Sequence, residues 1–516
     1  MNHLISAGAL AGTGSSAVLE RWGVFEVAVA GKTDGNPFTD YNVRGVFKHK
    51  NETVEAEGFY DGGGVYRVRC MPSFEGEYSY RVFGSCMEGA AEGAFTVAAP
   101  TPGNHGPVRV ANTYHFAYED GTPHVSLGTT CYVWTHQSQE LQEKTLESLK
   151  NGTFNKIRFC VFPKHYVHNF HEPITYPYEG TPCDRSGLTA DNFSFQAQYE
   201  GNDWDFSRFN PEHFRLIEKR IADLMEIGVE ADIIVMHPYD CWGFSKMSPD
   251  EDDLYWNYVV NRFSAFRNVW WSLANEYDLM RAKTTADWER YAAIICRQDP
   301  YNHLRSIHNC RHFYDHSRPW VTHCSVQRQD IYLTVEMTGD WRERYRKPVV
   351  LDEICYEGDI EHGWGNISGQ ELVRRFWESA CRGGYPGHGE TFVRPDDVLW
   401  WSHGGELHGE SPARIAFLRD ILEQAPGAGL RYERPFFGGG GAAVPEGIFD
   451  AGSYYLYYMG LGRPSLKRFR FDSGASYRVE VIDTWNMTIE DAGVHSGAFT
   501  IPLPAREYMA IRLVRQ

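Results

Sequence analysis

Apolar and polar positions along the chain change rhythm twice. Over residues 1–103, β-type runs such as "WGVFEVAVAG", "YNVRGVFKHK" and "GEYSYRVFG" alternate with the breakers "KTDGNP" and "YDGGG". That is the pattern of an antiparallel β-sandwich. "APTPGNHGP", Ala99–Pro107, is rich in Pro and Gly and reads as a linker. Over residues 104–428, short apolar runs alternate with helical stretches. "QELQEKTLESLKNG" ends at a Gly, and "FRLIEKRIADLMEIG" repeats apolar residues at Phe214, Ile217, Ile221, Leu224 and Met225. Residues 429–516 return to β-type runs such as "SYRVEVID" and "REYMAIRLV", a second small sandwich.

The middle part carries eight strand candidates: "HVSLGTTCYVW", "NKIRFCVFP", "EADIIVMHPYD", "FRNVWWSLANEYD", "LRSIHNC", "WVTHCSV", "KPVVLDEICYEG" and "DVLWWSHGG". Eight strands separated by helical stretches predict an α/β fold, a (β/α)8 TIM barrel flanked by the two sandwiches. A doubly wound sheet has the same alternation, but no GxGxxG or GxxxxGK[ST] opens a helix here.

Composition changes this picture mainly by exclusion. The 516 residues are 15% aromatic and 42% apolar, enough for several large cores. A net charge of −18 argues against nucleic acid and anionic membranes as partners and suits a neutral or cationic ligand. No run of about 18 apolar residues predicts a membrane span, and the N-terminus lacks the basic stretch of a signal peptide. Eleven Cys without a CxxC pair read as reduced thiols, which places the expected location in the cytoplasm. Oligomerisation with copies of itself stays open.

In such a barrel the functional side chains gather at the C-terminal strand ends. Those ends carry Trp134, Thr135 and His136; Arg158; His237, Tyr239, Asp240 and Trp242; Asn275 and Glu276; His308 and Asn309; His323; Asp352 and Glu353; and Trp400, Trp401 and His403. Two carboxylates on opposite strands are the minimum equipment for cleaving a glycosidic bond, one protonated to donate, the other ionised to attack or to activate water. Indole and phenol rings suit sugar faces, and amide, His and Arg groups suit hydroxyls. The dispersed His residues form no HExxH or other tight ligand set, so neither a metal nor another cofactor is expected. Plainer readings stand beside these. Glu276 could open a surface helix, Arg158 could fill a buried ion pair, and each His could be a satisfied core residue. Asp352 and Glu357 compete with Glu353, although strand alternation turns Asp352 to the opposite face.

"WWSLANEYD" and "KPVVLDEICYEG" resemble the strand-four and strand-seven signatures of the clan A retaining glycoside hydrolases. The resemblance implies Glu276 as general acid/base, Glu353 as nucleophile and Asn275 against the hydroxyl beside the anomeric carbon. It also implies Arg158 as support for the nucleophile, His237 as the strand-three His and Trp401 as the aromatic under the sugar. "GNHGPVRV", "YHFAYEDGTPHVSLGTTCYVWTHQ" and the three-part layout further resemble the bacterial apiosidase-like hydrolases. The chain departs from the clan pattern twice: Gly is delayed to Gly358, and "THCSV" puts Ser325 where a Tyr would orient the nucleophile. The expected activity is retaining hydrolysis of an oligosaccharide or glycoside. The rival is a carbohydrate-binding protein on a decayed barrel; an ester or amide hydrolase finds no GxSxG here. The long aromatic loop from Lys164 onward, "KHYVHNFHEPITYPYEG…", is expected over the pocket mouth.

Overall fold

A computed structural model describes residues 4–8, 18–150, 152–194, 201–330, 333–394, 399–434, 441–447, 451–472 and 474–516. Its centre is a parallel barrel of eight strands: β1 (Gly128–Thr130), β2 (Lys156–Cys160), β3 (Glu230–Met236), β4 (Val269–Ala274), β5 (Arg305–Ser306), β6 (Cys324–Gln327), β7 (Val349–Glu353) and β8 (Tyr385–His388). Neighbouring strands pair in the order β5-β4-β3-β2-β1-β8-β7-β6, and a parallel bridge from His308 to Ser325 closes the ring. β2, β3 and β4 are buried at every position, which is why they read as unbroken apolar runs.

The first helix around the barrel is α1 (Gln139–Lys150), and the next two begin where their sequences direct. In α2 (Pro211–Glu226) the Asn210 side chain accepts from the Glu212 amide, Pro211 opens the helix, and the five apolar positions named above are buried. In α3 (Pro249–Phe263) Ser248 and Glu251 close a reciprocal capping box.

Two strands differ from expectation. The eighth is "YPGH", not "DVLWWSHGG": Trp400–His403 form a short helix, and 395–398 lie outside the described residues. Pro and Gly leave "YPGH" with no hydrophobic period, and a Cβ on Gly387 would stand 2.7 Å from the Asp352 carbonyl oxygen, so close backbone approach favours Gly there. In β7 the register against β6 slips: Ser325 pairs with Val350 but Gln327 with Glu353, three residues against two. This bulge breaks strict alternation and turns Asp352 into the barrel, where its carboxylate meets Lys156 at 2.9 Å and Ser325 at 2.5 Å. The expectation that Asp352 faces away is therefore corrected.

The N-terminal unit packs a four-stranded against a five-stranded sheet, mostly antiparallel, with parallel pairs at Leu4–Gly8/Val24–Ala30 and Val18–Glu20/Ala90–Ala98. A buried ionic cluster fastens it to the barrel. Arg69 meets Glu218 of α2 at 2.5 Å, and Arg262 of α3 meets Asp61 at 2.8 Å and Glu218 at 2.6 Å. The C-terminal unit is a six-stranded antiparallel sheet with a two-stranded companion. No disulfide joins any of the eleven cysteines among the described residues. Among the described residues no helix is long and apolar enough to cross a membrane.

Candidate active site

The C-terminal strand ends bring Glu276 and Glu353 into one buried pocket, 5% and 6% exposed. Glu276 follows β4 in a left-handed conformation, φ 52° and ψ 53°, which a non-glycine residue adopts at a cost of roughly 1–3 kcal/mol. The backbone is pinned on both sides of it: the Asn275 amide donates to Met236 O at 3.0 Å and the Tyr277 amide to His308 O at 2.9 Å. The Tyr239 hydroxyl donates to Glu276 Oε2.

Glu353 ends β7 amid donors. The Tyr132 hydroxyl donates to Oε1, Arg158 Nη1 stands 3.4 Å from the same oxygen, and His308 Nε2 lies 3.2 Å away. Arg158 Nη1 also donates to Asn275 Oδ1 at 3.0 Å, so one guanidinium joins the ends of β4 and β7. Beneath this layer Lys156 bridges Asp232 at 2.7 Å and Asp352 at 2.9 Å. Ser325 spends its proton on Asp352, so its oxygen is free to accept from His308 Nδ1 at 2.9 Å. That leaves His308 Nε2 facing Glu353. Gln327 Oε1, also 3.2 Å from Nε2, completes the setting.

The two carboxyls therefore differ in acidity. Burial, and then the negative charge of Glu353, raise the pKa of Glu276; the Tyr239 hydroxyl, Lys164 and His308 only partly oppose this. Burial pushes Glu353 up as well, but the His308 hydrogen bond and charge, Arg158 and the Tyr132 hydroxyl outweigh it and hold the group at about 2. Two acids of one pocket with separated pKa values can divide the roles of proton donor and anion.

The remaining expected residues divide between the pocket and its surroundings. Trp401, on the short helix after β8, stands edge-on to Tyr132 at 5.4 Å and packs on Tyr166 and Trp364. His237 hydrogen-bonds Phe162 O at 3.1 Å; burial, with the nearby Lys164 charge, lowers its pKa to about 3. Trp242 donates to Glu172 Oε2 at 3.0 Å and anchors the long loop after β2. The structure does not bring four others to the carboxylates. Trp134 packs on Phe159, on the helix side of β2, and His136 stacks on His213 of α2. His323 precedes β6 at the opposite end of the barrel, between Phe116 and Trp270. Trp400 donates to Thr129 Oγ1 at 2.8 Å, in the barrel wall. The rival Glu357 accepts the Glu410 and Ser411 amides and so caps a helix instead.

Sequence reasoning passed over Tyr132, Lys164, Ser325 as a partner of His308, and Gln327. Tyr132 lay inside an apolar run, and only the end of β1 at Thr130 frees it to reach across the barrel. Lys164 carried a signal, a single cation between "FP" and the aromatic "HYVHNF" directly after strand two. The loop it opens does lie on the pocket: Tyr166 packs edge-on against Tyr239 and Trp401, and Asn169 meets His403 Nε2 at 2.8 Å. Residues 195–200 of the loop lie outside the described residues. Among the described residues no three His, Cys, Asp or Glu side chains come together as a metal site.

The model of the apiosidase-like catalytic domain matches residues 110–405, and two domains of unknown function, DUF5060 and DUF5605, match 18–84 and 443–514. A solved protein from Bacteroides vulgatus ATCC 8482, described as a "putative glycoside hydrolase", is 35% identical and superposes with a TM-score of 0.89 over 97% of this chain and 100% of its own. A glycoside hydrolase family 5 protein from the same organism shares the fold at 16% identity, with a TM-score of 0.59 over 80% of this chain and 95% of its own. A comparison with curated proteins returned no match. The chain is a glycoside hydrolase and belongs to the apiosidase-like catalytic-domain family.

Proposed function

We propose that the protein cleaves its glycoside by double displacement with net retention, Glu353 acting as nucleophile and Glu276 as general acid/base. The observation that carries this reading is the asymmetry of the two buried carboxyls. Glu353 sits among three donors that favour its anion, and Glu276 is pushed toward its protonated form by burial and by that anion. In the first step Glu353 Oε attacks the anomeric carbon while Glu276 passes its proton to the departing oxygen. Glycosylation removes the Glu353 charge, the pKa of Glu276 falls, and the resulting carboxylate takes a proton from the water that hydrolyses the intermediate. Retention requires the carboxyls to stand about 5–5.5 Å apart; inversion requires room for a water, about 6.5–9.5 Å.

In this reading Asn275, oriented by Arg158, contacts the hydroxyl next to the reacting carbon, and Trp401 faces the sugar ring. The test is the first-formed anomer, followed by NMR on a cleaved aryl glycoside. A retained anomer is expected; an inverted one refutes the double displacement and the nucleophile assignment together.

A further inference from the structure

The loop after β2 brings into the pocket a cation that the chemistry above does not use. The Lys164 ammonium lies 3.5 Å from the centre of the Tyr132 ring, 4.4 Å from Tyr239, 4.8 Å from Trp401 and 5.5 Å from Tyr166. Tyr132 is the ring whose hydroxyl holds Glu353, and Tyr239 the one whose hydroxyl holds Glu276. The ammonium thus stands between the supports of the two carboxylates.

Lys164 is 3% exposed. Among the described residues its Nζ makes neither a hydrogen bond nor an ion pair, whereas the neighbouring barrel cations are matched, Lys156 by Asp232 and Asp352 and Arg158 by Glu353. Ring faces stabilise an ammonium, but they offer its three N–H groups no oxygen. Trp401, over whose ring the ammonium lies, is itself 5% exposed, and its Nε1 is buried without a partner among the described residues.

A neutral hydroxyl needs only a dipolar partner, which a Tyr or an amide supplies at far smaller desolvation cost. The charges of Glu276 and Glu353 act on the ammonium without touching it, and holding it in a nearly closed pocket with no anion in contact is costly unless the ligand brings one. We propose that the sugar bound beside Glu353 is a uronic acid whose carboxylate pairs with Lys164. The Trp401 indole N–H serves the same ligand as a second donor. This rests on the glycosidase reading of the site and adds the class of sugar it takes. The overall charge of −18 suits a neutral or cationic ligand, but it sums the whole surface. Charges beyond about 8 Å are screened, so a buried carboxylate meets chiefly the groups around it. The lowered pKa of Lys164, about 8 through burial, leaves it cationic at neutral pH.

Calorimetric titration decides the matter without turnover. The full chain is titrated with glucuronate, galacturonate and mannuronate, each against its parent hexose, as wild type, Lys164→Met and Lys164→Arg. A charge-assisted pair predicts that the wild type binds at least one acid about 10–100-fold more tightly than the parent sugar. Lys164→Met removes that ratio, and Lys164→Arg keeps part of it; a melting curve verifies that each variant is folded. No preference for an acid in the wild type, or a preference that survives Lys164→Met, overturns the proposal. Matched aryl uronides and hexosides then separate this result from the reading beneath it. Acid-selective binding with no cleavage of any glycoside strikes at the hydrolytic mechanism and leaves the acidic ligand standing. Cleavage confined to neutral glycosides removes the acidic sugar and leaves the mechanism.

Discussion

Lys164→Met should stabilise the protein, and the size of the effect follows from the burial of one ammonium. A lysine in an unfolded chain releases its proton at about 10.4. In the folded pocket burial lowers this to about 8 against the opposing pull of Cys160, Glu276 and Glu353. At about 1.4 kcal/mol for each tenfold change in the proton equilibrium, the charged side chain costs the native state about 3 kcal/mol. The sign is fixed by the lowered pKa. Below pH 8 both states hold the proton and the full cost is present; between about 8 and 10.4 the native state sheds its proton first, and the cost fades. Methionine keeps the length and apolar stem without the charge. A barrel of about 300 residues has an unfolding entropy near 0.6 kcal/mol/K, so the variant should melt about 5 °C above the wild type at pH 7. Scanning calorimetry of both proteins at pH 7 and pH 10 provides the measurement. The gap should narrow at pH 10, where shared tyrosine and cysteine titrations cancel in the difference. A variant that melts below the wild type at pH 7, or a gap unchanged between the two pH values, would refute the burial argument. A pocket that tolerates such a cost illustrates the exchange of stability for a binding site.

Glu276→Ala should lose most activity on glycosides with poor leaving groups, keep more on activated aryl glycosides, and recover turnover with azide; equal loss on both without recovery would remove Glu276 from the acid/base role. Ser325→Ala should free His308 from its anchor and let the Glu353 pKa climb from about 2 toward its ordinary value, moving the acid limb of the kcat/KM profile up by about one pH unit. A plain fall in rate with the limb unmoved would give Ser325 a structural role only. Activity should persist in EDTA, since two carboxylates suffice for the chemistry; loss restored by a divalent ion would contradict this.

Much of the fold was legible because barrel strands buried on both faces write themselves as apolar runs, and α2 and α3 announce their starts with Asn210-Pro211 and Ser248-Pro249. The pair Asn275-Glu276 was legible for the same reason, a polar step at the end of "VWWSLA". What escaped depends on geometry that residue type does not encode. The bulge that turns both Asp352 and Glu353 inward is a count of residues between two strands, visible only once β6 and β7 are paired. Tyr132 acts on a carboxylate 221 positions away in the chain, and Ser325 on one 27 positions away on the neighbouring strand. The strand "YPGH" and the short helix at Trp400–His403 exchanged places in the reading because two adjacent tryptophans look more like a strand than Pro and Gly do.

The ionic cluster between the N-terminal unit and the barrel sets what can be moved as a piece. Arg262 is fully buried, and two of its neighbours, Asp61 and Arg69, belong to the other unit. Excising the barrel at the linker would leave Arg262 and Glu218 paired with each other but take away the acid and the base that they also face, and would open their buried surface to water. Gene fusions, chimeras and minimised enzymes built on this scaffold therefore have to carry the sandwich along. The smallest heritable module is the pair of domains, and a catalytic unit cut at the boundary of its chemistry would be cut through its foundations.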